Sequence, residues 1–197
     1  FCLTSTAAAG KIIDNFTGMT EEHMTPDYLF FYAEANIVCI IIFVIILWHD
    51  RRYRTRQEKQ IWFDRTVIAH ILYFISDIGW AAVISGDLPR TRALVIIFNF
   101  LNFILLSLIA FEWFSYMAAS ENMAFRTSRK RRSMWRIPMT ITILAIVIAY
   151  VIDPEFWISE SGVLNDLYYP MMVSAPIFYL MASFVFSVRN ARKTDSR

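Results

Sequence analysis

The sequence predicts an all-α fold: a polytopic membrane bundle of five transmembrane helices, N-terminus outside and C-terminus cytoplasmic. Three observations carry that prediction. Of 197 residues, 57% are apolar and 16% aromatic, above the roughly half apolar content of a soluble domain. The apolar residues come in blocks of about twenty, the length that crosses roughly 30 Å of hydrocarbon at about 1.5 Å per residue. Lysine and arginine crowd into alternate connections between those blocks. Backbone groups find no water partners in lipid, so blocks of this length without two-residue alternation form helices rather than barrel strands.

The first span covers residues 28–48, "YLFFYAEANIVCIIIFVIILW". The second covers 66–86, "TVIAHILYFISDIGWAAVISG", and carries His70 and Asp77 inside it. A short turn, "GDLPRTR", leads into the third span at 93–117, so these two helices are antiparallel neighbours. The fourth covers 137–152, with Pro138 at its start, where the missing N–H costs nothing. The fifth covers 168–188 with Pro176 in its interior. That proline removes one backbone hydrogen bond and is expected to act as a hinge. The predicted domains are an extracytoplasmic segment at 1–27, expected to be incomplete, the membrane domain at 28–188, and a cytoplasmic tail at 189–197.

Charge sets the direction. The connection 49–65 holds six lysines and arginines, 118–136 holds six, and the tail after Val188 holds four. The other side has only Lys11, Arg90 and Arg92. Sixteen against three places the rich connections in the cytoplasm by the positive-inside rule. Arg51, Arg52, Arg54 and the run Arg129, Lys130, Arg131, Arg132 therefore read as topology determinants that touch anionic headgroups. Nucleic-acid binding is not expected, because these connections are too short to fold a basic surface with aromatic platforms. Trp48, Trp113, Trp135 and Trp157 fall near span ends, where amphipathic rings prefer the interface.

The chemistry-bearing residues lie inside the spans: Glu34, Asn36, His70, Asp77, Asn99, Asn102 and Glu112. A buried ionisable group in a membrane is a functional hypothesis by default, because it is costly to keep there. Helical rise places Glu34 and Asn99 at one depth, Asp77 and Asn102 near the midplane, and His70 with Glu112 nearer the inner surface. His70 and Asp77, seven residues apart, share one face, which is expected to face the third span. Helix adhesion competes with every functional reading, since interhelical hydrogen bonds contribute roughly 0.6–2 kcal/mol each. Glu34, His70, Asp77, Asn99, Asn102 and Glu112 are the candidate sensing residues. The two cysteines, Cys2 and Cys39, have no metal-ligand spacing, and five glycines in all make a phosphate-cradling loop improbable. No metal or cofactor is expected, and no catalytic residue is assigned.

Three strings, "YLFFYAEANIVCIIIFVIIL", "RQEKQIWFDRTVIAHILYFISDIGWAAVISGDLPRTR" and "YYPMMVSAPIFYLMASFVFSVRNARK", resemble the N-terminal membrane region of bacterial GGDEF proteins of Firmicutes. The resemblance implies a sensory input module of a bacterial cytoplasmic membrane. It implies a diguanylate cyclase output domain in cis after the last helix, and a homodimer. Cyclase residues would belong to that further domain, so the chain itself is not expected to be an enzyme. The ligand is not readable. The alternative is a small transporter or permease component that uses the intramembrane acids as a proton or ion path.

Overall fold

The computed structural model describes residues 26–52, 57–89, 91–121, 133–153 and 167–195. Among these described residues five helices follow one another: α1 (Pro26–Arg52), α2 (Glu58–Ser85), α3 (Arg92–Ser120), α4 (Ile137–Ile152) and α5 (Tyr168–Asp195). No strand occurs among the described residues. Helices α1, α2, α3 and α5 are long and apolar enough to cross a membrane, which marks a multi-pass membrane protein. Helix α4 has 16 residues, about 24 Å at 1.5 Å per residue, and so falls short of a full hydrocarbon core. Arg54, Arg129, Lys130, Arg131, Arg132, Trp157 and the 1–25 segment lie outside the described residues.

The helix ends follow local chemistry. Helix α2 starts at Glu58, well before the apolar block at 66–86. Charged Glu58, Lys59, Asp64 and Arg65 precede that block without interrupting the helix, which buries Trp62, Asp64 and Thr66. It stops at Gly86, whose φ of +87° is left-handed, a conformation that favours glycine after a helix C-terminus. Thr91 caps α3 by accepting from the Leu94 N–H at 3.4 Å. Helix α4 starts with Pro138 in its first turn. Helix α5 continues through Pro176 to Asp195, beyond the expected limit at Val188.

Packing centres on α3, which touches α2, α4 and α5, while α1 leans on α2 and α4 also touches α5. Successive helices run antiparallel. At one end Gln60 of α2 donates to Asp50 of α1 at 2.8 Å, and Ser187 of α5 donates to Glu121 at the end of α3. At the other end Phe100 of α3 meets Tyr150 of α4 edge-on at 6.0 Å. Two buried clusters result. The larger joins Trp62, Phe111, Phe114 and Tyr179 with small Ala110 and Ala175. The smaller is built on Phe103 and Ile146. Between α2 and α3 the Phe98 ring lies so close to Gly79 that any Cβ there would overlap it. Glycine lets the two helices approach.

Candidate functional site

The polar groups gather at Asp77, in the seam between α1 and α2. Asp77 is 6% exposed. Its Oδ2 accepts from the Tyr32 hydroxyl and from Asn36 Nδ2 at 3.2 Å. Tyr32 and Asn36 are four residues apart, so one face of α1 presents both donors to the same carboxyl oxygen. Tyr73, one turn before Asp77 on α2, lies within its electrostatic reach. Neither α1 nor α2 carries a lysine or arginine within two turns of this node. The carboxyl is therefore held by neutral donors, an arrangement whose hydrogen bonds are strong in a low dielectric and costly to leave unmade.

His70 lies on the same stripe, two turns toward the start of α2. Its Nδ1 stands 2.7 Å from the Thr66 carbonyl oxygen. A carbonyl only accepts, so Nδ1 carries the hydrogen and donates. The imidazole stacks on Phe43 of α1 at 5.2 Å, and Phe74 stacks on the same Phe43 ring at 5.8 Å. These contacts correct the expected orientation: the His70–Asp77 stripe faces the first helix, not the third. Periodicity fixed the face, and the order of packing fixed the neighbour.

The other candidates scatter. Asn99 is buried and returns its Nδ2 to the Val95 carbonyl of its own helix at 2.8 Å. Asn102 is buried with its Oδ1 unpartnered, and Ser107, one turn and a half further, is fully buried with its hydroxyl unpartnered. Glu112 is buried near the other end of α3, with Arg65 and Arg136 in electrostatic reach and Oε2 without a hydrogen bond. Glu34 is exposed on the far face of α1. None of the depth-matched pairs Glu34–Asn99, Asp77–Asn102 and His70–Glu112 is joined by a hydrogen bond among the described residues. Pro176 is buried inside α5, and Arg51 and Arg52 end α1 in solvent-exposed positions.

Two tyrosines that sequence reasoning passed over hold the bundle together. Tyr32 had a readable signal, because it stands one helical turn before Asn36 on a common face. Tyr179 had none, since it sits in the aromatic run "PIFYLMASFVF" where any ring suits lipid. It is fully buried, three residues after Pro176. Its hydroxyl donates to the Trp135 carbonyl at 2.7 Å and accepts from the Met139 N–H at 3.2 Å. It thereby supplies the partner that the first turn of α4 lacks, since Arg136 offers no side-chain cap. Trp135, half-buried, packs against this core, 4.9 Å from Phe114.

No cluster of three or more histidine, cysteine, aspartate or glutamate residues that fits a metal ion occurs among the described residues. No family model, curated protein or solved structure matches the chain.

Proposed function

We propose that the chain is a membrane-embedded input module of a bacterial cytoplasmic membrane, in which a change at the Asp77 node repositions α5 and so drives a cytoplasmic output domain. The observation that carries this reading is the order of contacts. The polar node joins α1 to α2, α2 packs along α3, and α3 is bound to α5 through Phe111, Phe114 and Tyr179, 5.5 and 5.6 Å apart from ring to ring. Helix α5 then continues as one rod past its last apolar stretch into "RNARKTD". Such contiguity is a physical route and not by itself a coupling. A stimulus needs only to bind one of two helix arrangements better by a few kcal/mol. The resemblance to GGDEF membrane regions supports diguanylate cyclase as the output.

The test is hydrogen exchange in nanodiscs on the chain and its Asp77→Asn variant. The proposal expects altered protection in the cytoplasmic half of α5, which Asp77 does not touch. A change confined to α1 and α2 would reduce the node to adhesion.

A proton path is the competing reading, favoured by the buried unpartnered oxygens of Asn102, Ser107 and Glu112 along α3. It requires proton flux in proteoliposomes that is lost in Asp77→Asn and Glu112→Gln. Inverted repeats, the common architecture of transporters, are not visible in the sequence.

A further inference from the structure

We infer that Arg65 of α2 and Arg136 at the start of α4 form a clamp for the phosphodiester of one anionic phospholipid, beside the buried carboxyl of Glu112. Glu112 of α3 is 8% exposed, and its Oε2 has no hydrogen-bond partner. Both guanidiniums lie within its electrostatic reach, and both arginines are exposed. The Arg65 guanidinium lies over the Trp62 ring, 5.0 Å from its centroid. Trp62 in turn meets Phe111, the neighbour of Glu112, edge-on at 6.3 Å. Trp135, the residue before Arg136, packs on Phe114, two places beyond Glu112. Two cations from different helices are thus anchored to one short stretch of α3.

One acid against two guanidiniums leaves at least one positive charge over, whatever proton the carboxyl holds. Neither arginine closes an ion pair among the described residues. A guanidinium presents a planar fork of donors that fits phosphate oxygens. Arg65 directly precedes the apolar block 66–86, and Arg136 directly precedes the apolar run of α4. Both therefore stand at the edge of the hydrocarbon, level with phospholipid phosphates, where basic pockets between helices bind headgroups. From Glu112 an apolar stripe of Leu108, Ile104, Leu101 and Ile97 runs along α3 in steps of three and four, away from that edge. None of the four is buried. The stripe seats an acyl chain below the phosphate, a seat that free phosphate leaves unused. A headgroup with its own ammonium would add a third cation to the site, and an anionic phospholipid adds none. The clamp requires only that the bundle lies in a bilayer, and it is independent of signalling or transport.

Native mass spectrometry of the full chain in detergent, titrated with phosphatidylglycerol, counts bound lipids directly. One phosphatidylglycerol is expected to bind more tightly than the rest, and neither phosphatidylcholine nor free glycerol phosphate is expected to displace it. Arg65→Gln and Arg136→Gln are each expected to raise its apparent dissociation constant about tenfold, the scale of one lost charge-assisted hydrogen bond. Lys59→Gln, which removes an exposed cation from the first turn of α2, should leave it unchanged. Equal binding of phosphatidylcholine, or displacement by free glycerol phosphate, would overturn the inference. So would a loss confined to one of the two arginine variants, or an equal loss in Lys59→Gln. The parent chain alone decides between the two lipids, whatever the folding of the variants.

Discussion

The hydroxyl of Tyr179, in the middle of α5, donates to the carbonyl of Trp135 at 2.7 Å. The same oxygen accepts from the Met139 N–H, so one side chain of the last helix closes the first turn of the fourth. The Met139 N–H is one of the donors that a helix start leaves without an intrahelical partner, and the Trp135 carbonyl just ahead of the helix gains a donor in the same contact. The rings of Phe111, Phe114 and Phe178 surround the phenol and leave it no room to turn away.

Tyr179→Phe keeps those rings and removes only the hydroxyl. It is expected to destabilise the bundle by about 1–3 kcal/mol, the cost of an unsatisfied buried group. Reversible unfolding in mixed micelles measures it. Trp135→Phe, which leaves the Trp135 backbone in place, should lose packing but keep the Tyr179 bond.

At the polar node, Tyr32→Phe and Asp77→Asn are expected to couple. Each removes or weakens the same hydrogen bond, and interhelical bonds in membranes contribute about 0.6–2 kcal/mol. A double-mutant cycle on unfolding free energy should return an interaction of about 1 kcal/mol. Independent, additive effects would mean that the Tyr32–Asp77 contact does not hold α1 to α2.

The close approach of Gly79 to Phe98 gives a sharp packing test. Gly79→Ala places a methyl in overlap with the edge of the Phe98 ring and is expected to cost about 1–3 kcal/mol by overpacking. Phe98→Leu, destabilising alone, should recover part of the loss when the two are combined. The recovery is read as a higher midpoint for the double variant than for Gly79→Ala.

Helix α4 is the shortest of the five, and its crossing is open to chemistry. Ser133 and Asp153, both exposed, flank it. With single cysteines at these positions, an impermeant maleimide should label position 153 only from outside the cell and position 133 only from inside. Labelling of both from one side would leave four spans and reverse the direction of α5.

Much of this architecture was legible in the sequence. The fourth helix coincides with its apolar run because Pro138 opens the run and Asp153 closes it. The start of α2 was not legible from hydropathy, because Asp64 and Arg65 lower the local average while the helix still buries Trp62 on one side. His70 and Asp77 were readable as one face, yet their neighbour was not: a period of 3.6 residues says what is shared on a helix, not which helix lies opposite. The outward position of Glu34 was hidden for the same reason. Tyr179 was the least legible residue, since its role depends on a hydroxyl meeting a backbone 44 positions earlier in the chain.

The central claim is that the Asp77 node is coupled to α5, and electron–electron distance measurement in nanodiscs tests it most directly. Spin labels belong at positions 59 and 189, exposed residues at the same end of α2 and α5. Asp77→Asn is expected to shift or split the distance distribution by about 2 Å or more, the scale of helix shifts in switching proteins. Pro176→Ala, which restores a backbone hydrogen bond inside α5, should reduce that response. Superimposable distributions for the parent chain and Asp77→Asn would contradict the account and leave Asp77, Tyr32 and Asn36 as the adhesive between two helices.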